Sequence, residues 1–293
     1  MAPQPPVNAG SVVKGASVAG CPLFPEDNQW RRDISADPVD PRSDAYIASI
    51  STPDSGSFLH ADFGSNPNYG IPFVAVPKDQ SKVPIRYTDY GDESDKGPFP
   101  IPLNAPREAG SDRHVIAVKK GTCKLYELFN ARRTSKGWAA SSGAKFDLKS
   151  NALRPAGWTS ADAAGLPILP GLARRSETKA GAILHALRFT APSTQAGYVD
   201  PARHLASDDT NPDLPPMGLR VRLKSDYDIS GFTGHSRVIL ESLKVYGMML
   251  ADNGSSWYIS GQTDTGWNDD DLNQLKSVPG GAFEAVQHGT IHD

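Results

Sequence analysis

Arg113-His-Val-Ile-Ala-Val-Lys119, then Lys120-Gly-Thr122, then Cys123-Lys-Leu-Tyr-Glu-Leu-Phe-Asn130 form two extended runs joined by a short glycine-bearing turn. Apolar, aromatic and β-branched residues dominate both runs, which predicts a β-hairpin. Alternate residues of a strand face opposite sides of its sheet. His114 therefore lies with Ile116 and Val118, and Glu127 with Cys123, Leu125 and Phe129. Two ionisable groups thus point toward apolar neighbours, where an unpartnered charge is costly.

Further β-type runs extend on either side of this hairpin, at Pro72 to Val76, Val83 to Tyr87, Ala144 to Lys149, Ala182 to Thr190 and Leu219 to Lys224. His185 falls in the fourth of them, beside Ile183, Leu187 and Phe189. Ser43 to Ile50 reads as a short helix. Ile239, Leu243 and Tyr246 recur at helical spacing with Gly247 as a natural stop, so an amphipathic helix is expected over 234–246. Met248 to Ala251 and Trp257 to Ser260 flank Asp252-Asn-Gly254, a hairpin cue, and Asp269 to Lys276 is a last helix candidate. A long loop over 150–171 carries Trp158, and loops of that length are more often functional than idle.

No repeat, no Gly-x-Gly-x-x-Gly and no phosphate-binding loop occurs, and strands do not alternate with helices, which disfavours a nucleotide-binding α/β fold. The expected fold is mainly β within an α+β class. It is an antiparallel β-sandwich or barrel-like core with one principal amphipathic helix packed on it. Residues 1–20, rich in Pro, Gly, Ala and Val, read as a flexible leader without the pattern of a signal peptide, and 21–293 as a single β-rich domain.

The 293 residues hold 27 Gly and 25 Pro, above the roughly 12% these types average together, which favours turns over long helices. Thirty Lys and Arg against 33 Asp and Glu leave a net charge of −3, without a basic excess to track a nucleic-acid backbone. No apolar run approaches the ~18 residues of a membrane-spanning helix. Cys21 and Cys123 are too few and too far apart for a thiolate metal site. They form either one disulfide or two buried thiols, and the disulfide is favoured because little else would tie down the N-terminal arm.

A carboxylate on an apolar face has its pKa raised, as a general acid needs, and a nearby imidazole can relay the proton. Glu127, with His114 and His185, is accordingly the leading acid–base group. Asp92, Glu93 and Asp95 crowd one turn, a weak signal for Ca²⁺ or for catalytic carboxylates such as Glu93, a solvated acidic turn being the alternative. Histidines at ligand spacing are missing, so no metal site is assigned. Trp158 and Trp257 in or beside loops, with Arg203 and His204 from the polar stretch Pro201 to Pro216, would contact substrate. Arg220, Arg222 and Lys224 form a basic row on one strand face, either a solvated face or a seat for an acidic chain.

Cys21-Pro-Leu-Phe-Pro-Glu-Asp-Asn28, Asp92-Glu-Ser-Asp95, Asp112-Arg-His-Val115, Asn151-Ala-Leu-Arg-Pro-Ala-Gly-Trp-Thr-Ser-Ala-Asp-Ala-Ala-Gly-Leu-Pro-Ile168, Ala202-Arg-His204, Pro215-Pro-Met-Gly218 and Ala251-Asp-Asn-Gly254 together resemble a family of uncharacterised secreted bacterial proteins, sometimes joined to extracellular β-modules. The resemblance implies an extracellular setting, in keeping with a disulfide, and carries over no catalytic role. The expected function is a secreted polysaccharide-active enzyme, hydrolase or lyase, using carboxylate and histidine chemistry. The alternative is a non-catalytic extracellular module that binds glycan or builds a surface assembly.

Overall fold

The computed structural model describes residues 16–51 and 57–293. In chain order the elements are β1 (Ser17–Val18), β2 (Cys21–Pro22), α1 (Ser43–Ile50), β3 (His60–Ala61), β4 (Phe73–Val76), β5 (Ile85–Tyr87), β6 (Val115–Lys119) and β7 (Lys124–Phe129). There follow β8 (Arg132–Arg133), β9 (Trp138–Ala140), β10 (Ser142–Asp147), α2 (Arg175–Ala180), β11 (Leu187–Ala191), β12 (Arg220–Leu223), α3 (Gly234–Val245), β13 (Met248–Asn253), β14 (Tyr258–Ile259), α4 (Asp269–Asn273) and β15 (Phe283–Ala285).

β6 and β7 pair antiparallel with Ile116 opposite Glu127, as the hairpin reading requires, and sit in the middle of a sheet ordered β10-β7-β6-β4. Ile116, Val118 and Leu125 join the main core, whereas Val115, Ala117, Tyr126 and Leu128 pack with Phe99, Ile101 and Trp138 in a smaller core on the other face. Covering both faces explains the unbroken apolar run Val115 to Val118. The second large sheet runs β15-β12-β13-β11-β14-β3, and a small one runs β5-β9-β8. Strand exceeds helix and one sheet curls into a half-barrel, a β-rich α+β fold as expected. Antiparallel pairs outnumber parallel ones, though β4 with β6, β5 with β9, β13 with β11 and β14 with β3 run parallel.

α3 buries Ile239, Leu240 and Leu243 completely. It stops at Gly247, whose φ of +63° and carbonyl neighbour, Val221 O at 2.2 Å from where a Cβ would lie, admit only glycine. Cys21 and Cys123 form a disulfide with Cα atoms 5.3 Å apart, fastening the N-terminal strands to the turn of the central hairpin. The leader expectation falls mostly outside the described residues. Residues 17–18 already pair with β2 and Ala16 is buried, so order begins ahead of Cys21.

Four readings need correction. The Asp252-Asn-Gly254 hairpin does not form, because β11 lies between β13 and β14 and pairs with both. His185 precedes β11 instead of lying in it. Trp257 is fully buried, stacked between Phe189 and Phe283, and is a core residue and no sugar platform. The basic row is not solvated either, since β12 is an interior strand. Arg220 donates to the carbonyls of Tyr246, Gln29 and Arg32, and Arg222 bonds Glu284 and the Ile34 carbonyl. Arg220 meets the C-terminal carbonyl end of α3, where a cation is favoured, and burial pulls its pKa down to about 9.

Candidate active site

Glu127 is 0% exposed, beneath the 150–171 loop. Its Oε1 accepts the N–H groups of Ile168 (3.1 Å) and Leu169 (2.9 Å), and Oε2 accepts Ile168 at 2.9 Å. Burial pushes its pKa up to about 7 against the pull of those donors. His114, on the same sheet face, donates from Nδ1 to Glu108 (2.6 Å) and from Nε2 to the Ala161 carbonyl (3.0 Å). Both partners only accept, so both ring nitrogens carry protons. Burial works against that charge, yet the Glu108 carboxylate raises the His114 pKa. His185 belongs to another cluster, bonding the Ala186 carbonyl (2.8 Å) and Glu177 (3.2 Å). One solvent-open groove holding His114, Glu127 and His185 is therefore not what the chain builds: all three are closed off, and the first two brace a loop.

The loop they brace forms one wall of a cavity of about 270 Å³. Asp162 lines it from the loop, Asp252 from the end of β13, His204 from the polar connection, and Tyr90 from the turn ahead of Glu93. Asp252 is brought there by a β-bulge. Phe189 pairs with Leu250 but Thr190 pairs with Asp252, so Ala251 is the extra residue. A bulge bends its strand and re-aims the next side chain. The displaced Ala251 carbonyl accepts the Ala164 N–H at 3.0 Å, tying β13 to the loop. Asn253 holds the Ala206 carbonyl at 3.1 Å and so fixes the segment bearing His204.

Asp162 is fully buried and grips Arg188 through both oxygens, at 2.6 and 3.0 Å. The Arg188 guanidinium, despite its burial, is held charged by Asp162, which raises its pKa. Burial first, and the charge of Asp162 second, push Asp252 up to about 7. Its one hydrogen bond among the described residues is from the Asn253 N–H, at 2.8 Å. A carboxyl group titrating near neutrality inside a cavity can both give and take a proton. His204 donates from Nδ1 to the Ala163 carbonyl (3.1 Å), which leaves Nε2 toward Glu93 Oε2 at 3.5 Å.

Glu93 and His204 are thus brought together, as sequence reasoning did not foresee. The acidic turn does not converge as a cation site would. Asp92 is exposed, Glu93 accepts the Thr159 N–H, and Asp95 pairs with Arg154 and the Lys145 N–H. Among the described residues no cluster suits a metal ion. Trp158 is half-buried with the Arg154 guanidinium 5.6 Å over its ring. Arg203 bonds Asp200 (2.7 Å) and the Arg154 carbonyl (3.1 Å) and lines a neighbouring cavity of about 300 Å³ with Trp30 and Phe146. Tyr90, 47% exposed, is the open aromatic ring of the first cavity. Comparison with family models, curated proteins and solved structures finds no match to this chain.

Proposed function

We propose that the protein is a secreted polysaccharide-cleaving enzyme, with Asp252 as its acid–base group and His204, oriented by Ala163 and faced by Glu93, as the second proton carrier. The observation that carries this reading is the β-bulge at Ala251, which delivers Asp252 into a cavity shared with His204 and Asp162. Burial first, and the Asp162 carboxylate second, keep Asp252 protonated up to neutrality, with the Arg188 guanidinium working against them. Tyr90 offers an aromatic face on which a sugar ring can rest. His204 lines this cavity and Arg203 the next, so a chain crossing that segment would meet two consecutive pockets. The disulfide is compatible with an oxidising extracellular setting. A non-catalytic lectin-like surface is less well supported, because Trp257 is core and Trp158 is stacked under Arg154.

The test is incubation with a panel of polysaccharides, reading reducing ends and the absorbance of unsaturated products. Hydrolysis gives the first alone, elimination gives both. Asp252→Asn should retain the fold and lose about 10²-fold or more in turnover, the usual contribution of a general acid–base group. Unchanged turnover in a folded Asp252→Asn protein, or no cleavage across the panel, refutes the reading.

A further inference from the structure

Among the described residues nine arginines, including Arg32, Arg154, Arg188 and Arg237, have a carboxylate within 4.0 Å. Four others, Arg107, Arg113, Arg132 and Arg133, line one open groove of about 860 Å³. None of these four has a carboxylate partner among the described residues. Arg107 and Arg133 each place one N–H on a carbonyl, Ala131 (3.3 Å) and Leu103 (3.4 Å), leaving most of each guanidinium fork unused. Arg132 makes no side-chain hydrogen bond among the described residues and stands on β8, the edge strand of its sheet. Arg113 holds its backbone at φ +49°, where a non-glycine residue is strained, in a crossing with Asn130, also at φ +49°. Hydrogen bonds from Asn130 N to Asp112 O (2.7 Å) and from Ala131 N to Arg113 O (3.2 Å) fix that crossing.

Gathering four like charges in one groove without counter-charge is unfavourable for folding and favourable for an anionic ligand. The chain as a whole carries −3, so the concentration is local. Guanidinium forks match planar carboxylates through paired N–H donors. The aromatic residue of the groove, Trp138, is buried with its indole N–H toward the Ile101 carbonyl, so no open ring is offered for stacking nucleobases.

We infer that this groove is a binding site for an acidic polysaccharide, a chain of uronate residues whose carboxylates the unpaired arginines Arg107, Arg113, Arg132 and Arg133 would receive. The inference rests on the glycan reading above and narrows its substrate class.

The experiment measures binding of polygalacturonate oligosaccharides to the full chain carrying Asp252→Asn, so that cleavage does not intervene. A neutral glucan, a sulfated glycan and single-stranded DNA serve as comparisons. Polygalacturonate should bind at least about tenfold tighter than the neutral glucan, and less tightly as salt rises. Arg132→Ala should weaken it about tenfold, and Arg132→Ala with Arg133→Ala about 100-fold, the range for losing charge-assisted hydrogen bonds. Arg132→Lys should keep the salt dependence and recover part of the affinity. Equal affinity for charged and neutral glycans, indifference to the double substitution in a protein that melts normally, or tighter binding of the sulfated glycan or of DNA each overturns the inference. Polygalacturonate bound through these arginines, with no glycan of the panel cleaved by the unsubstituted protein, supports the groove and refutes the enzyme. A glycan cleaved at full rate and bound equally by the double variant refutes the groove and leaves the enzyme standing.

Discussion

Asp252→Asn should stabilise the protein at alkaline pH while removing its activity. The Asp252 carboxyl group has an ordinary pKa of 3.8 and is pushed up to about 7 in the fold, by burial and then by Asp162. Its raised pKa means that the native state binds a proton more tightly than the unfolded chain does. The native stability it contributes is fully present below 3.8 and is lost as pH rises through about 7. At about 1.36 kcal/mol per unit, the ceiling on that loss is about 4 kcal/mol. The side chain lines a cavity instead of lying in packed core, and screening there reduces the net figure to about 1–2 kcal/mol. The amide introduced by Asp252→Asn would keep the Asn253 N–H bond through its oxygen and carry no charge at any pH. Differential scanning fluorimetry across pH 4 to 9 should therefore show the two proteins melting together near pH 4. Near pH 8 the variant should melt about 2–6 °C higher. A variant that melts lower at pH 8 than at pH 4, relative to the unsubstituted protein, would mean that the ionised carboxylate is stabilised in place, and the reasoning fails.

Glu127→Ala strips two buried N–H groups of their acceptor and should cost about 2–4 kcal/mol in urea unfolding. Glu127→Gln should fold and lose far less than the ~10² in turnover that removing an acid–base group costs, because the carboxylate is sealed under the loop. The unfolded, unreduced chain should show no titratable thiol; one replacement, Cys123→Ser, removes a cross-link worth up to ~4.7 kcal/mol in the chain-entropy account. Trp257→Ala should cost about 3–5 kcal/mol, as large core truncations do, and Trp257→Phe should leave glycan binding unchanged.

Sequence reasoning reached the features that short-range periodicity controls. The hairpin at 113–130, α1 over Ser43–Ile50 and the stop of α3 before Gly247 each depend on a few consecutive residues. The disulfide also followed, from the pair count. Burial on both faces of one strand was less accessible. Alternation assigns Arg220 and Arg222 to a side of β12 but does not tell that the side is covered by residues 29–34 and by the end of α3. Glu127 shows the same limit: that a carboxylate among Leu125 and Phe129 needs a partner was readable, that the partners are backbone N–H groups 41 and 42 positions away was not. Asp252 was hidden by its own setting. Asp-Asn-Gly satisfies the local rule for a tight turn, and only the insertion of β11 between β13 and β14 converts it into a strand end with a bulge. Short-range pattern carried no signal that set Asp252 apart from the chain's other carboxylates.

The anchors of the 150–171 loop bear on how such a cavity would work. Glu127 holds Ile168 and Leu169, Arg188 holds Asp162, the Ser142 hydroxyl donates to the Ser160 carbonyl at 2.6 Å, and Ala164 is bound to the bulged Ala251. A lid that opens and closes draws on segments with few buried contacts. Over 159–171 this loop is buried and held by charge-assisted contacts, with Leu166, Ile168 and Leu169 in the main core. The cavity wall is therefore fixed without any ligand, and Asp162 faces Asp252 with its carboxylate oriented by Arg188. Preorganised charge of this kind acts without reorganisation during reaction. On the proposed function, the buried Glu127 and His114 would act through the position of the loop, while the proton would be exchanged at Asp252, the carboxyl group the bulge leaves open to the cavity.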